Sequence, residues 1–189
     1  ITYEDGSYYD GELKAGEYQF SKFTIRHGQG TLVWPDGKKY VGEWKNGMKN
    51  GFGEITVPGL HKYIGEWKDD LINGEGKYTD EKGNIVIGEW KNGKINGHAI
   101  WKYPNGAEYN GEFKDDKREG NGSQKEVDGR SYSGEWNDDK PNGIGELKFP
   151  DGWTYIGEVV DGVPNGQGKE TRANGEVYEG RWINGTFIE

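Results

Sequence analysis

Glutamates recur along this chain at a strict interval. Glu43, Glu66, Glu89, Glu112, Glu135 and Glu158 stand 23 residues apart, and Arg181 takes the next place. A row of carboxylates could do acid–base chemistry, bind cations or hold a basic peptide. Paired-carboxylate catalysis needs two acids in different environments around one cleft, and an evenly repeated column offers neither the asymmetry nor the cleft. The expected role is structural: each carboxylate accepts hydrogen bonds from nearby turn amides or a tyrosine hydroxyl, which is why it returns in every unit. Other chemistry is as poorly supplied. His27, His61 and His98 fall at different offsets and cannot repeat one metal-ligand geometry. Cysteine is absent, so there is no thiol nucleophile, disulfide or cysteine zinc site. No Gly-Lys pair is followed by Ser or Thr, so the phosphate-cradling loop is missing. No catalytic residue, metal site or cofactor is expected.

The glutamates belong to a longer string, and the elements that carry them follow from it. Tyr40, Tyr63, Tyr109, Tyr132, Tyr155 and Tyr178 keep the same interval, with Val86 in the gap. Gly42 and its equivalents follow two places on, and Trp44, Trp67, Trp90, Phe113, Trp136, Val159 and Trp182 four places on. An eighth unit opens at Tyr9, with eight extra residues between Gly16 and His27. Asn46-Gly47, Asn92-Gly93 and Asn184-Gly185 supply left-handed residues for tight hairpin turns, and Asp-Asp stands there at Asp69, Asp115 and Asp138. A second turn falls at Asp36-Gly37, Asn105-Gly106, Asp128-Gly129, Asp151-Gly152 and Asn174-Gly175. Two turns per unit make two strands per unit, so the expected fold is all-β: an elongated, twisted, single-layer antiparallel meander of about fifteen strands. Alternation puts Tyr40, Gly42 and Trp44 on one face and Val41, Glu43 and Lys45 on the other. Gly28, Gly30, Leu32 and Trp34 share a face in the second strand, where glycine opposite a ring lets the aromatic lie over backbone.

The string Tyr40-Val-Gly-Glu-Trp-Lys-Asn-Gly-Met-Lys-Asn-Gly-Phe-Gly53 resembles the MORN repeat, and Tyr63 to Gly76 and Tyr132 to Gly145 match nearly as well. The resemblance covers almost all of residues 1–189, read as a single array with units starting near Tyr9, Tyr40, Tyr63, Val86, Tyr109, Tyr132, Tyr155 and Tyr178, and as part of a longer protein or complex. It implies a grooved antiparallel sheet. It also implies a scaffold at cilia, cytoskeleton or membrane junctions, or an appendage to a catalytic domain. Local loosening is expected where repeats depart from the pattern, at Val86, Ala99, Val159 and Pro58-Gly59-Leu60.

Columns that vary are where specificity is expected. On the aromatic face of the second strand they read Leu32/Trp34, Ile55/Val57, Tyr78/Asp80, Trp101/Tyr103, Gln124/Glu126, Leu147/Phe149 and Glu170/Arg172. An apolar stripe that is partly exposed suits a partner helix or extended peptide. The groove residues expected to bind it are Trp34, Val57, Tyr78, Trp101, Tyr103, Phe149 and Trp153, while Tyr40, Trp44, Tyr63, Trp67, Trp90, Trp136, Glu43, Glu66, Glu89 and Glu135 build the repeats. In the expanded first unit, Tyr18, Phe20 and Phe23 beside Lys22 and Arg26 read either as a long hairpin or as a lid.

Of 189 residues, 31% are apolar, 14% are aromatic and 34 are glycine, with net charge −9. Residues 1–94 carry 13 basic and 15 acidic groups, and residues 95–189 carry 11 and 18. Such a surface repels phosphate backbones and anionic headgroups, so nucleic acid is excluded and lipid disfavoured as partners. Homo-oligomers could form through open sheet edges. The setting expected is cytoplasmic, at the cytoskeleton or cilium. The function expected is a non-catalytic protein-interaction scaffold; the alternatives are a phospholipid-binding module, the regulatory part of a larger enzyme, and a choline- or sugar-binding aromatic repeat.

Overall fold

The computed structural model describes the backbone of residues 1–18 and 21–189, and the side chains of all of these except 17, 18, 21 and 22. Two compact units divide the chain. Unit one, Ile1–Lys94, holds β1 (Tyr8–Tyr18), β2 (Ser21–Val33), β3 (Lys39–Lys45), β4 (Met48–Val57), β5 (His61–Lys68), β6 (Leu71–Asp80) and β7 (Ile85–Lys91). Unit two, Ile95–Glu189, holds β8 (Lys94–Lys102), which begins one residue earlier, then β9 (Glu108–Lys114), β10 (Lys117–Lys125), β11 (Ser131–Asn137) and β12 (Lys140–Lys148). It ends with β13 (Thr154–Val160), β14 (Val163–Thr171), β15 (Val177–Ile183) and β16 (Thr186–Phe187). The fold is all-β and antiparallel, and strand order is chain order for all sixteen strands. The short β16 makes one strand more than the spacing predicts. No described helix is long and apolar enough to cross a membrane.

The hairpin β3–β4 shows how sequence becomes structure. Asn46 and Gly47 have φ of 52° and 86°, the paired left-handed values of a two-residue turn whose twist matches the strands. Asp69-Asp70, Asp115-Asp116 and Asp138-Asp139 adopt the same conformation, because a short polar side chain tolerates it better than most. Beyond the turn the ladder pairs Trp44 with Lys49 and then Gly42 with Gly53, so three residues of β4 oppose Glu43 alone. Gly51 occupies this bulge at φ 71°, and the Glu43 carboxylate lies where its Cβ would be. Gly42 and Gly53 face each other with no side chains between, and the Tyr40 ring lies down over them; a Cβ on Gly53 would collide with Tyr40 Oη.

Rings then lock each hairpin to the next. Tyr40 meets Trp44 of its own strand edge-to-face at 5.0 Å and Trp67 of the following unit at 5.4 Å. Trp67 Nε1 donates to the Gly53 carbonyl at 3.1 Å, and Trp44, Trp90, Trp136 and Trp182 do the same to the glycine fourteen residues back. Tyr40, Tyr63, Tyr109 and Tyr155 are fully buried as a result. Substantial packing is confined to strands adjacent in the chain, which is how a sheet of repeats gathers stability from neighbour contacts.

The departures do not loosen the sheet. Val86, Ala99 and Val159 are all buried, and the Gly157–Gly168 pairing beside Val159 is intact. Pro58-Gly59-Leu60 forms a turn closed by Leu60 N–H donating to the Val57 carbonyl at 3.0 Å. The expansion of the first unit continues β1 and β2 as a longer ladder, with Ala15 paired to Thr24 and Gly16 to Phe23. Phe20 and the side chains of Tyr18 and Lys22 lie outside the described residues.

Candidate functional site

The glutamate column has its partners inside the repeat. The carboxylates of Glu12, Glu43, Glu66, Glu112 and Glu158 accept the backbone N–H of Gln29, Phe52, Glu75, Asn121 and Gln167 at 2.9–3.4 Å, just past the bulge glycine. Glu135 lies over Gly143 in the same manner. The tyrosine hydroxyl does not donate to the carboxylate: Tyr9, Tyr40, Tyr63, Tyr109, Tyr132 and Tyr155 donate instead to the main-chain carbonyl of the glutamate three residues on, at 2.9–3.2 Å. These carboxylates cap bulges. Among the described residues no group of three His, Cys, Asp or Glu could hold a metal ion. His27 Nδ1 accepts the Asn46 N–H at 3.4 Å, and the His61 ring packs 5.7 Å from Tyr78.

Two hollows lie on the inner face, the one that carries the tyrosines and tryptophans, while the outer face exposes Val41, Phe52, Ile87, Ile144 and Ile156. In unit one a hollow of about 450 Å³ is lined by Tyr3, Asp5, Ser7, Arg26, Leu32, Trp34, Trp44, Lys49 and Asp70. In unit two a hollow of about 340 Å³ has an apolar floor of Tyr132, Trp136, Pro141, Leu147 and Phe149 and a polar rim that includes Arg118, Gln124, Glu126, Arg130 and Asp139. Arg118 is tied down there: its guanidinium lies 4.5 Å over Trp136, donates through Nη2 to the Asp139 carbonyl at 2.7 Å, and bonds Gln124 Oε1 through Nη1. Gln124 Nε2 donates in turn to Glu126 Oε1 at 2.6 Å.

Seven segments, residues 22–39, 40–57, 63–85, 87–108, 109–129, 132–154 and 155–177, match the MORN repeat. The chain belongs to the MORN repeat family. Most of these matches begin at or next to the tyrosine column, and the hairpins built from Tyr9 and Tyr178 lie mainly outside them. No curated protein sequence matches the chain. Among solved structures, the TCP domain of Drosophila melanogaster SAS-4 (dCPAP), in complex with a proline-rich motif of Ana2 (dSTIL), is similar with TM-score 0.50 and 13% identity, over 82% of this chain and 85% of that one. The TCP10c domain of Drosophila melanogaster Sas-4 gives 0.47 and 15% over 82% and 93%. The TCP10 domain of Danio rerio CPAP gives 0.36 and 10% over 97% of each chain. These likenesses concern the fold.

On the MORN sheet, Trp34, Val57, Tyr78, Trp101, Tyr103, Phe149 and Trp153 are all half-buried, unlike the sealed repeat aromatics. Unit one holds Trp34, Val57 and Tyr78. Unit two brings Trp101 and Tyr103 into a parallel stack at 5.5 Å and 14°, with Trp101 a further 6.3 Å from Phe113. It also brings Phe149 and Trp153 edge-to-face at 4.1 Å across their turn. Trp101 Nε1 is buried without a hydrogen-bond partner, the costly state for a donor. Burial raises the Tyr103 phenol above its usual range, partly offset by the Arg118 charge nearby.

The column that follows each tight turn, Lys49, Ile72, Ile95, Arg118, Pro141 and Pro164, carried no mark in the sequence, and Arg26 stands one 23-residue interval before it inside β2. These cations sit on the next tryptophan, Arg26 4.4 Å over Trp44, Lys49 4.9 Å over Trp67 and Arg118 over Trp136. The column mixes three residue classes, so no periodic pattern marks it; only its fixed offset from the turn could have.

Proposed function

We propose that this MORN array is a non-catalytic scaffold that holds an extended segment of a partner protein along the inner face of its sheet. One observation carries the reading: repeat aromatics on that face are sealed, and among the variable positions between them Trp34, Val57, Tyr78, Trp101, Tyr103, Phe149 and Trp153 stay half-buried, while Leu32, Ile55 and Glu170 are buried. Half-buried aromatics with fixed orientation give contact area at low entropic cost, which is what interaction surfaces use. The carboxylates of Glu12, Glu43, Glu66, Glu112 and Glu158 are engaged in bulges, which favours a structural role for the column. The SAS-4 TCP domain, of similar fold, was solved with a proline-rich motif, and a sheet face lined by rings is suited to extended, proline-containing chains.

The test is the double substitution Trp101→Ala and Tyr103→Ala. Association with the cellular partner, measured by co-purification and titration, should weaken by about 2 kcal/mol or more, while the thermal midpoint falls only slightly. Unchanged association would remove the reading. A phospholipid surface as the real ligand would show as flotation of the protein with anionic vesicles that salt abolishes.

A further inference from the structure

The hollow of unit one is lined by two cations, Arg26 and Lys49, and two acids, Asp5 and Asp70, and a third cation, Lys38, lies beside it over Trp34. Arg26 Nη2 donates to the Gly47 carbonyl at 2.9 Å and its guanidinium lies over Trp44, 5.8 Å from the Tyr3 ring centroid. Lys38 Nζ sits 4.5 Å over Trp34. Lys49 Nζ is 3.4 Å from Asp70 Oδ1. Both acids are engaged locally: Asp5 accepts the N–H and hydroxyl of Ser7 at 2.9 and 2.6 Å, and Asp70 accepts the Lys49 backbone N–H at 3.0 Å. Among the described residues, no carboxylate forms an ion pair with Arg26 or Lys38. Burial lowers the Lys49 pKa against the pull of Asp70, and the charges of Lys38 and Arg26 lower it further, as expected for cations crowded at one spot. All this occurs in a chain of net charge −9.

We infer that this hollow receives a carboxylate side chain, an Asp or Glu of the bound protein segment, next to an apolar residue that rests on Trp34. The inference rests on the peptide-holding reading above and adds what the peptide carries in unit one. A protein segment fits better than a polyanion: inside the hollow one carboxylate meets the local cations, whereas a bilayer or nucleic acid also meets the field of the whole acidic chain. From the hollow the inner face continues through half-buried Val57 and Tyr78, while Leu32 and Ile55 are buried, so Val57 and Tyr78 are the positions suited to apolar side chains beside the acid.

Two synthetic dodecapeptides with one leucine- and proline-containing frame, central Glu-Asp in the first and Gln-Asn in the second, test this by NMR of the tryptophan indoles. The acidic peptide should move the Trp34 indole signal, and its binding should weaken about tenfold on the change to Gln-Asn and again in Lys38→Glu or Arg26→Gln. Lys38 is half-buried over Trp34 and outside the ring columns that hold the sheet, so its variant should keep the thermal midpoint of the parent protein. Equal binding of both peptides, or undiminished binding to Lys38→Glu, would overturn the carboxylate site and leave the peptide-holding reading intact; so would movement of Trp101 with Trp34 silent. Silence of every inner-face indole with both peptides would count against both readings. Phosphatidylserine vesicles moving Trp34 where the peptides do not would assign the cations to lipid.

Discussion

Tyr40 and Gly53 show how little room the repeat leaves at the scale of one residue. The ring covers the glycine so closely that Gly53→Ala must displace it, at a cost of about 1–3 kcal/mol by urea denaturation. Tyr40→Phe keeps the ring and loses only the hydroxyl's bond to the Glu43 carbonyl, about 1 kcal/mol; an equal loss for both would show that the hydroxyl, and not the close approach, matters. The glutamates look like the chemistry of the chain from sequence. In the structure Glu43, Glu66, Glu112 and Glu158 are engaged in bulges, and Trp34, Tyr103, Phe149 and Trp153 are among the rings left half-buried beside the sealed columns.

The hairpin is the element, and its turns do more than reverse the chain. Asp70, Asp116 and Asp139, the second residues of the Asp-Asp turns, each accept through Oδ1 the backbone N–H of the preceding hairpin, from Lys49, Ile95 and Arg118 at 2.8–3.0 Å. Glycine at that place, as at Gly47 and Gly93, makes the same turn without the tie. Asp116→Gly therefore isolates the tie, since Asp139 also pairs with the Arg118 guanidinium: the turn is retained and stability should fall by about 1–2 kcal/mol, measured by thermal or urea melting. No loss would mean that the side chain contributes only turn propensity. Much at this scale was legible, since a strict interval with Asn-Gly and Asp-Gly punctuation fixes the strands, their faces and their order. The bulge at Gly51 was not, because alternation says which face a residue takes and nothing about three residues facing one. The Asp-Asp tie was hidden for a related reason: aspartate is already explained by the turn, so its second bond left no separate trace. Nor was the hollow of unit two legible, where Gln124 and Glu126 read in sequence as polar members of the variable columns and Arg118 carried no mark.

At the scale of the whole molecule the tyrosines act together. Burial raises the phenols of Tyr40, Tyr63 and Tyr109, and pushes that of Tyr132 up to about 12. A phenol whose pKa is higher when folded favours the folded state while it stays protonated. That contribution is complete below the unfolded value of about 10 and is lost as pH rises through the folded one. Urea midpoints should hold steady as far as tyrosine is concerned up to about pH 10 and then fall steeply as phenolate absorbance grows. Loss of midpoint well before phenolate forms would refute the shared role. The same columns that seal the sheet leave Trp34, Val57, Tyr103 and Trp153 half-buried beside them, and the proposal is that another molecule covers these positions. Site-specific photo-crosslinking tests it most directly, with a benzophenone amino acid placed in turn at Val57, Tyr103 and Trp153 on the inner face and at Val41 and Ile156 on the outer. Partner crosslinks concentrated at the inner positions are what the account predicts; crosslinks concentrated at Val41 and Ile156 would contradict it.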